Sequence, residues 1–541
     1  MRIIRRSRRA AWWMGLFVLL VVLAADQRTW ADATDPLLDL FVKKGYVTQK
    51  EAEQVEAEAE TLRTNEIQTP PMPPSIWSFD TAIKKVELFG DVRVRYEDRT
   101  AYDPEQDKIE LQRFRYALRF GLRGDVFDDF YYGFRLETSS NPRSSWVTMG
   151  TAAAPSSSNP AYQGPFGKSS GGIGIGQVYI GWRPENWVNI TVGKMPNPLY
   201  TTPMVWSSTI NPEGLAERFQ YIVGRANFFA NFAQFLYQDE NPVSESGVLN
   251  WQDLGIGQSQ ENIFQIAWQG GLTYNITTNI SAKVGATIYQ YFGLKRSSLT
   301  SGNTTSPYFG DPYVGEGAYA GPGSEYPTYG FSGYGSASGL AGYESLNYPN
   351  NQVGLNNLLV LEIPFEVNFK IKNLDSQVFG DFAYNLEGAQ RARAAAAGYA
   401  AYLASLPPPG ATIGTFTPQT HDDKAYQIGF AIGSKDSLGL VDGSVSGRNA
   451  WELKTYWQHI EQYSLDPNLL DTDFFEGNEN LQGIYAAFAY GFGKNVTGTV
   501  RYGYASRINK LLGTGGTGQD IPQMNPINSY SILQVDVTLR F

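Results

Sequence analysis

The sequence predicts an all-β fold: a closed antiparallel transmembrane β-barrel of about sixteen strands, preceded by a short helical unit. Three observations carry this prediction: an export leader, a long series of segments in which apolar and polar residues alternate, and an ordered alternation of short and long connections. The composition agrees with them. Only 18% of the 541 residues are charged, whereas 14% are aromatic, and aromatic residues favour strands.

The composition also excludes several classes of function. The chain lacks cysteine, so disulfides, thiolate metal sites and cysteine nucleophiles are excluded. It has only two histidines, His421 and His459, which leave little basis for histidine catalysis or zinc binding. A formal net charge of −10 argues against nucleic acid as a partner. We expect no enzyme activity, no metal and no cofactor.

The N-terminus predicts export. Five arginines among residues 2–9 precede an apolar run from Ala10 to Ala25, and Ala31 and Ala33 provide a small-x-small cleavage site. These features are typical of a signal peptide, here residues 1–33. A membrane anchor is the alternative, but sixteen apolar residues are short for a spanning helix. No later stretch approaches the length of a membrane helix, so spanning segments have to be strands.

Residues 34–64 form the one segment with a helical pattern. Its second half begins with a capping box, Thr48 and Glu51. Four prolines then mark residues 65–84 as a linker. We expect a short periplasmic helical unit, more consistent with a solvated pair of helices than with a partner-binding module.

From residue 85 to residue 541 the apolar period is two, and this part is the predicted barrel. Between residues 114 and 122, for example, apolar side chains at even positions alternate with arginine, alanine or glycine at odd positions. Segments of about ten residues can cross a bilayer as tilted strands. Sixteen are predicted: 86–98, 109–124, 129–139, 173–183, 187–196, 215–224, 226–238, 262–276, 280–294, 357–371, 377–388, 424–434, 449–464, 481–492, 496–508 and 532–541.

The connections test this count independently. Even-numbered connections are short, apart from 434–447, and odd-numbered ones include long stretches rich in Gly, Ser, Asn and Pro. A missed or additional strand would put this alternation out of phase. The pattern predicts short periplasmic turns and long external loops. The long loops are 140–172, 239–261, 295–356, 389–423 and 509–531.

Several motifs carry a resemblance to a known family. They are LLDLFVKKGYVTQKEAEQVEAEAE (37–60), GKMPNP (193–198), VWSSTINPEGLAERF (205–219), DTDFFEGNENLQG (471–483), VTGTVRYGYASRINKLLGTGGTGQDIPQMNPI (496–527) and LQVDVTLRF (533–541). With them the chain resembles the "putative porin" family of Gram-negative outer membranes over nearly its whole mature length. The resemblance implies a general-diffusion type of barrel. It also implies that the terminal aromatic residue, Phe541, is the signal read by the barrel-assembly machinery.

The polar face of the first three strands is the first candidate for function. It carries seven arginines together with Asp91, Glu97 and Glu137. Neighbouring strands place these side chains side by side, which predicts a mostly basic wall that orients solutes and favours anions. The alternative is that arginine simply fills a polar lumen face. The predicted wall consists of Arg93, Arg95, Arg113, Arg115, Arg119, Arg123 and Arg135.

The third external loop, 197–214, is the candidate constriction. Porins with sixteen strands fold their third loop inward, and the resemblance implies the same here; a proline-stiffened surface loop is the alternative. Glu213, and Glu217 just beyond it, are expected to face the basic wall and to set a transverse field. A separate carboxylate-rich segment, 471–479, lacks EF-hand spacing, so we expect an exposed acidic loop rather than a calcium site.

The leading hypothesis is an outer-membrane porin, a water-filled channel for passive diffusion of small hydrophilic solutes, with a homotrimer as its candidate assembly. The alternative is a solute-specific channel for an anion or a saccharide. Expected partners are outer-membrane lipid, the solutes and the barrel-assembly machinery. An outer-membrane enzyme would need a Ser/His/acid constellation, and neither histidine has an evident partner in the sequence.

Overall fold

The structure is a computed structural model. It describes residues 44, 85–104, 106–126, 129–139, 144–150, 172–238, 263–292, 357–393, 396, 421–445, 447–514 and 526–541. All of these except Lys44 belong to one compact unit, Asp80–Phe541. The predicted signal peptide (1–33), helical unit (34–64) and linker (65–84) lie outside the described residues, Lys44 apart.

Sixteen long strands within the described ranges form one antiparallel sheet in sequence order. Their bounds are β1 (Glu87–Tyr102), β2 (Lys108–Val126), β3 (Phe130–Thr138), β4 (Ile173–Glu185), β5 (Val188–Lys194), β6 (Glu213–Val223), β7 (Ala226–Gln238), β8 (Ile263–Thr277), β9 (Ile280–Phe292), β10 (Leu359–Ile371), β11 (Leu374–Asn385), β12 (Lys424–Gly433), β13 (Trp451–Ile460), β14 (Leu481–Gly491), β15 (Val496–Arg507) and β16 (Ser529–Arg540).

The sheet closes on itself because β1 pairs with both β2 and β16. At this seam the backbone N–H of Gly90 donates to the carbonyl of Phe541 at 3.0 Å, and the N–H of Phe541 donates to the carbonyl of Gly90 at 3.1 Å. Closure leaves no strand with an unpaired edge. The predicted sixteen-stranded barrel is therefore confirmed.

The two faces of the strands differ in polarity. Large apolar side chains point outward and are exposed, as in Phe114 (57% exposed), Ile180 (63%) and Trp268 (53%). Alternate positions point inward and are polar yet buried, for example Glu97, Gln269 and Glu362. This arrangement is the reverse of that in a water-soluble domain. Among the described residues, no helix has the length and apolar character needed to cross a membrane.

Strand β1 is longer than predicted, since it continues from residue 98 to Tyr102. The prediction ended the strand at the polar run Glu97-Asp98-Arg99, but the alternation persists through it. Arg99 and Ala101 continue the inward face and are fully buried. A two-residue strand, Val147–Thr148, pairs with β2 beyond the end of β3.

The alternation of short and long connections holds except between β1 and β2, which are joined by residues 103–107 only. The one long connection among the short turns has a structural explanation. The described residues between β12 and β13, 434–445 and 447–450, fold back into the barrel. Leu440 and Val441 of this segment are buried against Ala487 and Ala489 on the inward face of β14. The side chains of Arg501 and Arg540 donate to the backbone carbonyls of Val441 and Val445, respectively.

Candidate permeation site

All seven arginines of the predicted wall lie at inward-facing positions of β1, β2 and β3, and each is paired with a carboxylate. Arg93 and Arg119 pair with Asp91, and Arg135 pairs with Glu137. Arg123 pairs with Glu87 near the short-turn end of the barrel, where both side chains are partly exposed. The remaining three, Arg95, Arg113 and Arg115, pair with Glu97. The wall is thus a lattice of alternating charges rather than a purely basic surface.

Glu97 is the centre of this lattice. Its carboxylate is fully buried and accepts from Arg113 Nε at 2.8 Å and from Arg99 Nη2 at 3.1 Å. Gln534 Nε2 on β16 also donates to it, at 2.9 Å. A carboxylate that is shielded from water needs such partners, because burial of an unpaired charge costs free energy. The arginines on this part of the wall therefore share one acidic partner.

The loop between β13 and β14, residues 461–480 (loop L7), folds into the barrel and completes the lattice. Arg95 binds Asp536 of β16 through two hydrogen bonds, of 2.7 and 2.9 Å, and donates to Asp473 of L7 at 3.1 Å. Arg99 pairs with Glu476 of L7 and donates to the Thr472 carbonyl at 3.1 Å. Glu476 is buried, so the expectation of an exposed acidic loop is wrong. The arginines of β1 supply the counter-charge that draws this segment inward.

Aromatic packing holds the same loop from the other side. Phe474 is buried, with its ring centroid 5.3 Å from that of Tyr485 on β14 and 5.8 Å from that of Tyr456 on β13. A Cβ atom on Gly503 of β15 would lie 2.6 Å from the Phe474 ring, so only glycine leaves room for it. L7 is therefore a packed element of the lumen.

Two carboxyl groups of L7 differ in their acidity. Burial and the neighbouring Asp473 carboxylate raise the pKa of Asp471 to about 6. Burial also opposes ionisation of Asp473, but the guanidinium groups of Arg95 and Arg99 outweigh it and lower the pKa of Asp473 to about 2. Close to neutral pH, Asp471 is the group of this pair whose charge can change.

The loop between β5 and β6, residues 195–212 (loop L3), also lies inside the barrel. The hydroxyls of Thr201 and Thr202 donate to Glu362 of β10 and Asp381 of β11, both at 2.5 Å. The Tyr200 N–H donates to Gln269 of β8 at 2.9 Å. These partners lie several strands away from the ends of the loop, so L3 crosses the lumen.

Loops L3 and L7 meet inside the barrel. The N–H of Ser207 in L3 donates to the carbonyl of Leu469 in L7 at 2.6 Å, and the N–H of Asp471 donates to the carbonyl of Pro203 at 3.3 Å. On the far side, Tyr291 of β9 donates to Asp466 of L7 at 2.7 Å. The two loops therefore form a continuous bridge from β1 and β16 to β9, β10 and β11.

Glu213 and Glu217 are not part of this bridge. L3 ends before them, and both belong to β6. Glu213 pairs with Lys194 at 2.5 Å at the rim, and Glu217 accepts from Gln234 at 3.2 Å. Glu217 is the strand neighbour of Phe232, whose ring packs against the exposed Trp268 on the outward face. The structure therefore does not pair either glutamate with the arginine wall. Glu217 lies on the outward side of β6, and Glu213 pairs with Lys194 where it lines the edge of a cavity.

A cavity of about 680 Å³ lies between the first half of L3 and the short turn that joins β4 and β5. Its lining is polar and carries three cations, Arg183, Arg218 and Lys283, with one carboxylate, Glu185. A second cavity, of about 600 Å³, is lined by the second half of L3 and by L7. The loop thus has a separate water-accessible space along each half.

The two histidines lie apart from these cavities. His421 precedes β12, and His459 is on the outward face of β13, where its ring stacks on Tyr426 at 4.6 Å. His459 hydrogen-bonds with Gln482 and Glu461, at 3.2 and 3.4 Å.

A family model described as "Putative porin" matches residues 100–541, more than three-quarters of the chain. The chain belongs to this porin family. The family and the barrel make the protein a porin channel, with a lumen crossed by L3 and L7.

Solved porin structures also resemble the chain. They include an anion-selective porin from Comamonas acidovorans, at 10% identity and a TM-score of 0.37 over 84% of this chain and 99% of that one. They also include a mutant of the Rh. blastica porin, at 10% identity and a TM-score of 0.34 over 84% of this chain and all of that one. Likeness at this level carries no argument about the pore. A search of curated proteins found no match.

The sequence interpretation missed several residues of the lumen. Arg99 continues the odd-numbered phase of Arg93, Arg95 and Glu97, so a strand extended by four residues would have included it. Arg218 and Lys283 lie on the inward faces of predicted strands, and the same alternation test would have selected them. The pairing of Arg95 with Asp536 joins residues 441 positions apart, and no local pattern predicts it.

Proposed function

We propose that this porin resides in the bacterial outer membrane and lets small hydrophilic solutes diffuse passively through a water-filled lumen. One observation carries the proposal: a closed barrel has an exposed apolar outer face and a polar inner face. Hydrocarbon can cover such an outer face, and closure satisfies every backbone hydrogen bond. The short turns then face the periplasm and the long loops face outward.

Part of the lumen is occupied, which supports a size filter. L7 packs against β1 and β13–β16, and the described residues between β12 and β13 pack against β14–β16 at the short-turn end. L3 crosses the remaining space towards β8, β10 and β11. Solutes would therefore pass through the space that L3 and L7 leave open, including the cavities along the two halves of L3.

Charge would filter solutes second. The paired arginines and carboxylates of β1–β3 create a field that orients dipolar solutes, while their net charge is small. This lattice gives weaker support for anion preference than an unpaired basic wall would. Outer-membrane lipid, the assembly machinery and a homotrimer remain our proposed partners and assembly.

Reconstitution in planar bilayers tests the function. We expect stepwise single-channel conductance in KCl, and exclusion of neutral polymers above a definite size. The reversal potential under a salt gradient gives the ratio of anion to cation permeability. Folded, membrane-inserted protein that conducts no ions would contradict the proposal. Membrane fractionation of producing cells tests the location independently.

A further inference from the structure

Two sets of lumen cations differ in how their charge is balanced. Those of β1–β3 have carboxylate partners, as described above. Arg218 on β6 and Lys283 on β9 have no ion-pair partner within 4.0 Å among the described residues. Both line the cavity of about 680 Å³ beside L3. Two cations without an ion pair within 4.0 Å in the described part of the chain thus lie together at a position away from the predicted wall.

Arg218 is placed between two amides. Its strand neighbours are Asn189 on β5 and Asn231 on β7, and both line the same cavity. The Nε atom of Arg218 is buried and has no hydrogen-bond partner in the described part of the protein, and the same holds for Oδ1 of Asn227 on the cavity lining. Buried polar atoms are usually satisfied, so these two mark a polar pocket wall that is not internally paired. The parts of Arg218 and Asn227 that line the cavity are available to a polar group there.

Lys283 is held by L3. Its Nζ atom lies 3.7 Å from the centre of the Tyr200 ring and 5.6 Å from that of Phe229. A cation on an aromatic face is positioned without being neutralised. Glu366 is directly opposite Lys283 in the register of β9 and β10, and it is the acidic neighbour that partly balances this charge. The Tyr200 and Phe229 rings, at 6.2 Å from each other, add an apolar surface.

We propose that Arg218 and Lys283 form a solute-binding subsite for a small hydroxylated anion of monosaccharide size, such as a sugar acid or a sugar phosphate. The cations bind its carboxylate or phosphate oxygens, since guanidinium and ammonium groups bind such oxyanions strongly. The amides of Asn189, Asn231 and Gln220 bind the hydroxyls, and the aromatic rings contact the apolar face of the sugar. The cavity volume is within the usual range for small-molecule sites.

This inference rests on the proposed pore and deepens it, because it assigns a preferred solute class to one place along the pathway. Binding in a channel must be weak enough to allow release. A half-buried site with two cations on the lining of an open cavity meets this condition. The subsite accelerates flux of the anion at low external concentration.

Concentration-dependent current block in planar bilayers tests the subsite with the mature protein. Three probes of similar size are compared: glucuronate, glucose 6-phosphate and neutral glucose. We expect both anions to block at lower concentration than glucose, and the order of the two anions distinguishes a carboxylate site from a phosphate site. Equal half-blocking concentrations for all three probes would overturn the proposal. Protein that inserts but does not conduct would instead contradict the pore itself.

Substitutions test whether the block by anions arises at Arg218 and Lys283. Arg218→Gln and Lys283→Gln should each raise the half-blocking concentration of the anions about tenfold and leave that of glucose unchanged. The matched control is Arg123→Gln, which removes a lumen arginine that already pairs with Glu87 and does not line the cavity. Arg218→Lys keeps the charge and should retain most of the affinity if Arg218→Gln fails to fold. Unchanged anion block in folded Arg218→Gln and Lys283→Gln would refute the subsite.

Discussion

At the scale of single residues, charge compensation decides how the lumen behaves. Four arginines lie within 4.0 Å of the Glu97 carboxylate: Arg95, Arg99, Arg113 and Arg115. These four arginines therefore share one buried counter-charge, which reduces the repulsion among their guanidinium groups. Arg218 and Lys283 differ from these arginines in their neighbours. Amides flank Arg218 and aromatic rings contact Lys283, and neither kind of group carries a counter-charge.

Replacement of Glu97 by Gln should destabilise the barrel. The change removes the shared counter-charge while the arginines stay buried, and breaking a buried ion pair costs about 3–5 kcal/mol. Urea unfolding in lipid vesicles measures the loss. Glu110→Gln is the control, because the Lys108–Glu110 pair is exposed and should contribute nothing measurable. Equal stability of Glu97→Gln and the parent would show that the cluster is not held by this residue.

The charge of Asp471 should make ion selectivity depend on pH. With a pKa of about 6, its carboxyl is ionised at pH 7 and neutral at pH 5, so the lumen loses one negative charge on acidification. Reversal potentials under a KCl gradient should shift towards anion preference between these pH values. The shift should be absent in Asp471→Asn, which is neutral throughout. A shift of equal size in that variant would assign the effect to another group.

At the scale of elements, two loops and one turn determine how open the barrel is. L3 is bound to β8, β10 and β11 by side-chain hydrogen bonds, whereas L7 is bound to β1 and β16 by ion pairs. Each loop satisfies polar groups that the lumen face of the barrel would otherwise expose to water. Their mutual backbone hydrogen bonds then join them into one bridge.

A disulfide between the loops should form without loss of the channel. Ser207 and Leu469 are joined by a backbone hydrogen bond of 2.6 Å, which brings their Cα atoms into the range of about 4.4–6.8 Å that a disulfide requires. The chain has no native cysteine, so Ser207→Cys with Leu469→Cys introduces the only pair. Oxidation should give a band of altered gel mobility, reversed by reductant, with conductance retained. Single-cysteine variants are the controls, and failure to cross-link would contradict the contact.

At the scale of the whole molecule, the seam that closes the barrel has Phe541 at one end. Phe541 exchanges two backbone hydrogen bonds with Gly90, and its ring covers the space where a Cβ atom on Gly90 would lie, 2.9 Å away. The residue proposed as the assembly signal is thus also the last pairing of the β1–β16 seam. The assembly machinery would first recognise Phe541, and the same residue would then pair with Gly90 as the barrel closes.

Phe541→Ala should reduce the amount of folded porin in the outer membrane. The loss of the aromatic ring should weaken the proposed recognition by the assembly machinery and open space at the seam, while the backbone hydrogen bonds remain. The heat-modifiable folded fraction on gels measures the outcome, with Phe492→Ala as the control, because Phe492 is an exposed aromatic (64%) just after β14. Equal folded fractions in both variants would argue against a special role for the terminus.

The sequence by itself determined the strand number, the two faces and the alternation of connections. Each of these follows from a local rule, since every strand that faces hydrocarbon on one side and water on the other must alternate, as residues 114–122 do. The tertiary structure alone decided which charges are neutralised and which segments enter the lumen. Arg95 meets Asp536 across the seam and Asp473 from L7, while Glu217 turns away from the pore. Contacts between distant residues depend on the closed curvature of the barrel, which local spacing does not encode.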